Sequence, residues 1–249
     1  MNSGNRSFPD SKSGDTDREI RDFDDRIKSL LENDYPIEYI IEPKVNGLTV
    51  QLVYKNGGLT IAFTRNHDYS GEYITANLKT LLTVPLSLVQ LDEDCSIPER
   101  LAVGGRVYME LEPFQGLNLN RIEKALPPFA DPAEAVADSL RQPNPRITAK
   151  RPLNMFCSRI VQYEGPPFET EMESMIMLQK WGLRVDRPHL RLYSKIEEVI
   201  QYCHYLEEIR IQFPFKLDGA LIKINHLRLQ KKLFEKEGHP RWAIVFNFK

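Results

Sequence analysis

The sequence has few cysteines and no long apolar run. Its three cysteines, Cys95, Cys157 and Cys203, are far apart and form no C-x-x-C pair. This pattern argues against a disulfide framework or a structural zinc site and favours a reduced, cytoplasmic setting. No apolar stretch approaches the roughly 18–20 residues of a membrane-spanning helix, and the polar start lacks the pattern of a signal peptide. We therefore expect a soluble intracellular protein with no membrane partner.

The chain also has little net charge. Lys and Arg number 33 against 35 Asp and Glu, which gives −2 at pH 7. Bulk composition therefore does not point to nucleic acid, although a local basic face is compatible with it. His67 and His239 have no partners at metal-ligand spacing and are interpreted as solvated. With 41% hydrophobic residues, the chain can form a core in one large domain or two small ones.

The distribution of apolar residues indicates a polar lead-in followed by a mixed α and β domain. Residues 1–15 are rich in Ser, Gly, Asn and Asp and are predicted to be disordered, and residues 16–249 are predicted to form the domain. Apolar spacing predicts helices near 16–33, 131–142, 169–181, 195–210 and 226–236. Strands are predicted over 39–43, 48–54, 59–64, 101–111, 153–163, 217–225 and 242–248.

Two local signals refine this pattern. The Lys-Asn-Gly-Gly sequence at 55–58 predicts a tight hairpin, because Asn and Gly tolerate positive φ. Pro143, Pro145 and Pro152 predict an extended stretch. Strands and helices interleave without βαβ regularity, so the sequence favours an α+β fold with an antiparallel core.

The segment at 42–47, Glu-Pro-Lys-Val-Asn-Gly, places Lys44 between a strand and a glycine turn. A lysine attacks phosphorus only when its amine is neutral, so it needs burial or a neighbouring cation to lower its pKa. It also needs cations that disperse charge on the phosphate. Taken alone, a lysine in such a turn is usually solvated. Candidate cations stand at predicted strand ends and turns: Arg65, Arg141, Arg210, Lys223 and Arg241.

Several segments, in order along the chain, resemble those of NAD-dependent DNA ligases. Residues 42–47 are similar to the E-x-K-x-D-G nucleophile motif of the ligase and capping-enzyme superfamily. Residues 64–77 resemble the family's T-R-G-D-G-x-x-G-E-x-x-T-x-N segment, and the S-L-R-Q, N-P-R-I-T-A and R-P-L runs within 139–153 resemble a stretch peculiar to the NAD-dependent branch. Residues 213–223 resemble the D-G-x-x-I-K motif, and 240–244 resemble the entry to the last motif.

The resemblance implies a ligase- or capping-type nucleotidyltransferase fold and a role for each matching residue. Lys44 would take AMP from NAD and release nicotinamide mononucleotide, with Mg²⁺ assisting. AMP would then pass to a DNA 5′-phosphate, and a 3′-hydroxyl would displace it. The resemblance implies that Glu42 contacts the adenine, Arg65 the ribose or another part of the nucleotide, and Lys223 the α-phosphate. Arg141 and Arg210 would line the side of the pocket that faces the nucleotide or DNA. Asp218 would hold the wall of the pocket on that side.

Four positions depart from the family's pattern. Asn46 replaces the acidic residue two places after the lysine, and Arg106 replaces an acidic pocket residue. Asn247 stands where the family has a lysine, and Ala133 stands where it has an arginine. Arg106 either repels Mg²⁺, binds phosphate itself or pairs with a surface carboxylate, and the sequence leaves these open. Four such changes predict impaired or altered chemistry.

Two rival functions and the chain ends complete the sequence-based hypotheses. The fold could serve a non-catalytic module that binds a nucleotide, a DNA end or a protein. An ATP-using RNA ligase or capping-like enzyme shares the lysine motif, but the 139–153 stretch argues against it. We expect no N-terminal subdomain for nicotinamide mononucleotide, OB-fold, zinc finger or BRCT segment in this chain, which is then a fragment or a stand-alone protein. We do not expect it to seal a nick by itself.

Overall fold

The computed structural model describes residues 13–14, 17–32, 36–64, 71–91, 95–237 and 241–249. Within these ranges the chain forms nine strands and eight α-helices, so the predicted α+β class is confirmed. The strands are β1 (Ser13–Gly14), β2 (Tyr39–Val45), β3 (Leu48–Lys55), β4 (Gly58–Thr64), β5 (Arg100–Met109), β6 (Leu153–Tyr163), β7 (Arg191–Tyr193), β8 (Leu217–Ile224) and β9 (Ala243–Asn247). The helices are α1 (Asp17–Leu31), α2 (Thr75–Leu78), α3 (Leu111–Glu123), α4 (Pro132–Leu140), α5 (Pro145–Thr148), α6 (Glu171–Lys180), α7 (Ile196–Ile209) and α8 (Leu227–Glu237).

The strands form two sheets. One has the order β1-β9-β8-β2-β7 and the other β4-β3-β5-β6. Neighbouring strands are antiparallel throughout, except that β1 runs parallel to β9. Ser13 and Gly14, inside the predicted lead-in, pair with Val245 and Phe246, whereas the other residues of 1–15 lie outside the described residues.

Each sheet has its own apolar core. Against the first sheet, α1 places Ile20, Phe23 and Ile27, and α7 contributes Cys203 and Leu206. Their three- and four-residue spacing is the predicted amphipathic pattern. Against the second sheet, α4 and α6 bury their own apolar faces, which consist of Ala135, Val136, Leu140, Met175 and Leu178.

The hairpin between β3 and β4 confirms the turn prediction. Asn56 and Gly57 have φ of 48° and 77°, the conformation that a two-residue hairpin of this twist requires. Helix α4 also begins as predicted, because the Asp131 carboxylate caps it by accepting a hydrogen bond from Glu134 N at 2.9 Å.

Three helices, α2, α3 and α5, were not predicted. Helix α2 spans only four residues, too few to show a helical apolar period. Residues 145–148 form α5 instead of an extended stretch, because Pro145 occupies the first helical position and Asn144 caps it through Arg146 N at 3.0 Å. Helix α3 buries none of its residues fully and carries Pro113 and Gly116, so it lacks a strong apolar stripe. No helix in the described part of the chain is long and apolar enough to cross a bilayer.

Candidate active site

Lys44 lies at the end of β2, where the chain turns into β3. Residue 47 must be glycine here, since a Cβ would lie only 2.1 Å from Val107 O on β5. The turn therefore presses against β5 and holds the lysine at the junction of the two sheets. Lys44 is half-buried, and its Nζ donates to Asn247 Oδ1 at 3.3 Å.

The environment of Lys44 favours its neutral amine. Burial lowers the pKa of the Lys44 ammonium, the positive charge of Arg106 lowers it further, and the Asp218 carboxylate opposes both. A lower pKa raises the fraction of amine that can attack phosphorus at neutral pH. The surroundings therefore meet the first requirement for a nucleophilic lysine.

Arg106 projects into the site from β5, which settles one question that the sequence left open. Its Nη1 donates to Gly47 O at 3.1 Å, in the turn that follows Lys44. Burial lowers the pKa of the guanidinium, and Asp218 and Glu42 oppose that shift. Arginine nevertheless stays protonated in proteins, so Arg106 brings a permanent positive charge to the pocket. Among the described residues it pairs with no surface carboxylate.

Asn46 ties three parts of the fold together. Its Nδ2 donates to the two carboxylate oxygens of Asp218 at 3.0 and 3.2 Å, and its Oδ1 accepts from Ala133 N at 3.0 Å. The buried amide thus connects the β2–β3 turn with the start of β8 and the first turn of α4. An aspartate has acceptors only when ionised and cannot donate to Asp218, so the asparagine suits this position.

Glu42 and Lys223 form a buried ion pair. Lys223 is fully buried, its Nζ lies 3.2 Å from Glu42 Oε1, and it donates to Ser158 O on β6 at 3.0 Å. Burial raises the pKa of the Glu42 carboxyl, and Lys223 opposes the shift. Burial would lower the pKa of Lys223, but the carboxylates of Glu42 and Glu171 outweigh it and the pKa is raised. The raised pKa of Lys223 favours its charged form, whereas burial favours the neutral Glu42 carboxyl and Lys223 opposes that.

Seven sequence-predicted residues form one connected group, here called the Lys44 pocket. They are linked by the contacts and electrostatic interactions given above, and they are Glu42, Lys44, Asn46, Arg106, Asp218, Lys223 and Asn247. Ala133 joins the group through its backbone N–H alone. The replaced positions thus lie together in the Lys44 pocket.

Two other predicted contacts, Arg141 and Arg210, stand apart from this group. Arg141 pairs with Glu72 at 2.6 Å on the surface. Arg210 pairs with Glu207 at 3.6 Å at the end of α7, and the same carboxylate accepts from Lys249 N at 2.7 Å. Arg65 lies outside the described residues, as do His67 and His239.

The sequence reasoning missed two charged residues that act on Lys223. Glu171 and Arg159 are both buried, and both shift the pKa of Lys223, the carboxylate upward and the guanidinium downward. Glu171 starts helix α6, directly after the Thr170 of a capping box with Glu173. That capping box is visible in the sequence and could have marked the site.

The described residues of the pocket do not form a set of ligands for a divalent metal ion. No group of three or more His, Cys, Asp or Glu side chains in the described ranges is placed to hold a metal ion. The two pocket carboxylates are engaged, Glu42 with Lys223 and Asp218 with Asn46. Arg106 adds positive charge where Mg²⁺ would need oxygen ligands. The donor set therefore does not fit the Mg²⁺ that the resemblance implied.

The antiparallel two-sheet fold is that of ligase-type nucleotidyltransferases. An archaeal ATP-dependent RNA ligase structure matches 98% of this chain and 48% of its own chain, with a TM-score of 0.50 and 15% identity. At that identity the likeness shows the fold alone. A family model described as the NAD-dependent DNA ligase adenylation domain matches residues 13–249. The chain belongs to that family, which confirms the sequence resemblance.

Bacterial relatives agree with this assignment. A protein named DNA ligase from Geotalea daltonii is 45% identical over 233 residues, which cover 92% of this chain and 34% of that protein. One from Geobacter sulfurreducens, with the same name, is 42% identical over 235 residues, covering 94% of this chain and 34% of that protein. The chain therefore spans about a third of the length of the curated relatives it matches.

Proposed function

We propose that the Lys44 pocket binds the AMP moiety of NAD and that Lys44 becomes adenylated slowly. The observation that carries the proposal is the half-buried Lys44 amine, whose pKa is lowered by burial and by Arg106. In the step proposed, Lys44 Nζ forms a bond to the α-phosphorus as the bond from phosphorus to nicotinamide mononucleotide breaks. The leaving group departs with the bonding electrons, and the proton released from Nζ passes to solvent.

The replaced residues support a slow reaction. Asn247 gives Lys44 a neutral acceptor at 3.3 Å where the family places a cation, and Ala133 offers only its backbone N–H. Loss of one transition-state donor or cation typically costs about 10²–10³ in rate. The losses need not add, because the residues act as one constellation.

The later steps of strand joining extend this proposal. AMP bound to Lys44 would pass to a 5′-phosphate on nicked DNA, as the names of the relatives suggest. Arg141 and Arg210 are the candidate DNA contacts, and each is held by a carboxylate on the surface, Glu72 and Glu207. A 5′-phosphate would have to displace these carboxylates, so we expect weak DNA binding by this chain alone.

A non-catalytic nucleotide-binding module is the second candidate. The observation that favours it is the Asn46 amide, which satisfies Asp218 and Ala133 N together. This arrangement stabilises the pocket without the carboxylate that the family uses beside the lysine. The same nucleotide contacts would remain, and turnover would be absent.

The test is intact-protein mass spectrometry after incubation with NAD or with ATP, alongside Lys44→Ala. The matched control is Lys55→Ala, which removes an exposed lysine at the end of β3. We expect an AMP adduct from NAD in the wild type and in the control, and none in Lys44→Ala. Saturable NAD or AMP binding by calorimetry without any adduct would contradict the enzymatic proposal and support the binding module. Absence of both adduct and binding would overturn both.

A further inference from the structure

Arg106 has hydrogen-bonding capacity that the protein does not use. A guanidinium carries five N–H donors, and Arg106 donates one hydrogen bond, to Gly47 O, and makes no ion pair within the described part of the chain. Its carboxylate neighbours Asp218 and Glu42 act on it electrostatically, from beyond ion-pair distance. The side chain is nevertheless partly buried and lies in the Lys44 pocket.

A partly buried guanidinium with open donors is suited to an anion. Arginine binds phosphate in a planar, two-pronged fashion, and such charge-assisted hydrogen bonds are about twice as strong as neutral ones. Lys44 is close enough for Arg106 to lower its pKa. An anion held by Arg106 would therefore lie beside the Lys44 amine.

Among the described residues, both carboxylates of the Lys44 pocket already have partners. Mg²⁺ in nucleotide sites is usually held by one or two carboxylates together with substrate phosphates and water. Here Asp218 is hydrogen-bonded by Asn46, and Glu42 is paired with Lys223. Arg106 would repel a metal placed between them.

We propose that Arg106 binds the nucleotide phosphate directly and takes the place of a divalent cation, so that nucleotide binding by this chain is independent of metal. The inference rests on the proposed nucleotide site and identifies Arg106 as the positive charge that balances the nucleotide phosphate.

The test is calorimetric titration of the full chain with AMP and with NAD, in EDTA and in Mg²⁺. We expect the wild-type affinity to change by less than about 2-fold between the two conditions. Arg106→Gln should weaken binding by about 10-fold or more in both, since hydrogen bonds to charged groups are lost. Arg106→Glu should bind poorly in EDTA and gain at least about 10-fold in Mg²⁺, because it restores a metal-binding oxygen.

Arg100→Gln is the matched control, since Arg100 is exposed at the start of the same strand, β5. It should bind like the wild type, and melting temperatures should show that all variants fold. A wild type that binds only with Mg²⁺, or an Arg106→Gln variant of unchanged affinity, would overturn the inference. If no nucleotide binds, pyrophosphate is the next probe. Pyrophosphate binding in EDTA that Arg106→Gln abolishes would support the anion site while the nucleotide proposal fails, and no pyrophosphate binding would overturn both.

Discussion

The side-chain amide of Asn46 donates to both carboxylate oxygens of Asp218, at 3.0 and 3.2 Å. The same amide accepts from Ala133 N at 3.0 Å through its Oδ1. The contact with Asp218 joins residues 172 positions apart in the sequence. It makes the polar chemistry of the pocket and the stability of the fold depend on the same side chain.

Asn46→Asp should therefore destabilise the protein at neutral pH. The substitution removes a donor to Asp218 and places a second carboxylate beside it, and we expect the free energy of unfolding to fall by about 1–3 kcal/mol. Proximity of like charges raises the pKa of the carboxyl pair in the folded state. A group whose pKa is raised in the folded state stabilises the fold at low pH, and this stabilisation is lost as pH rises through the folded-state pKa. The loss of stability of Asn46→Asp relative to the wild type should therefore be smaller at pH 5 than at pH 8.

Urea unfolding at the two pH values measures this effect, with the exposed Asn120→Asp as control. Equal stability of Asn46→Asp and the wild type at pH 8 would mean that Arg106 neutralises the added charge. The prediction would then be wrong, although the pocket geometry would stand.

Lys44 should titrate below the ordinary lysine value of 10.5. Burial and Arg106 both disfavour its charged form, so the neutral amine becomes available at lower pH. The Lys44 signal is measured by NMR of ¹³C-methylated protein and assigned with Lys44→Ala. Arg106→Gln should move its pKa upward, because the second cause of the depression is removed. A Lys44 pKa at or above 10.5 would contradict the nucleophile assignment.

Lys223→Met should cost about 3–5 kcal/mol, since it leaves the buried Glu42 carboxylate without its partner. Glu42 already has a raised pKa from burial, and removal of Lys223 should raise it further. In the folded Lys223→Met variant, Glu42 then holds its proton more tightly than it does in the unfolded chain. The free energy of unfolding of the variant should therefore decline as pH rises above about 4.3, the pKa of Glu in the unfolded chain. Thermal unfolding from pH 5 to 8 tests this, and Glu42→Gln in the same chain should recover part of the loss. A pH-independent loss would count against the ion pair.

Asn247→Lys should accelerate adenylation of Lys44. It places a cation next to the Lys44 amine, whose Nζ now lies 3.3 Å from the Asn247 amide oxygen. We expect a gain of about 10²–10³ in the single-turnover rate, followed by mass spectrometry over time with Asn120→Lys as control. An unchanged rate would show that position 247 does not limit the reaction.

Gly47→Ala should destabilise the protein by about 1–3 kcal/mol and weaken nucleotide binding. The new Cβ would lie 2.1 Å from Val107 O, a backbone atom that cannot rotate away. The turn carrying the Arg106 acceptor would have to shift. Gly58→Ala is the matched control, since its Cβ would meet its nearest atom, Lys55 O, at 3.6 Å. Melting temperature and AMP affinity measure both effects.

Features set by neighbouring residues were predictable from the sequence. The hairpin at Asn56 and Gly57, the Asp131 cap and the amphipathic helix α1 each depend on a few adjacent positions. Helix α3 escaped prediction because it buries none of its residues fully and so shows no apolar stripe in the sequence. Helix α5 escaped because Pro145 is equally compatible with an extended chain and with a first helical turn.

The sequence was enough to predict which residues belong to the site, but not which atoms they contact. Matching motifs named Lys44, Glu42 and Lys223, which the structure brings together. The contacts of Arg106 and Lys223 connect residues 59 and 65 positions apart, across strands that only folding brings together. Whether a mid-strand residue such as Arg106 points inward or outward depends on register, so the sequence could not choose.

The hydrogen bond from Lys223 to Ser158 O crosses between sheets that each pack on a separate apolar core. The pocket therefore lies at the boundary between the two sheets, and both sheets supply its walls. Its geometry depends on how the two sheets lie against each other. We expect nucleotide affinity to decline on heating before either core unfolds, and core substitutions far from Lys44 to weaken binding without touching the ligand.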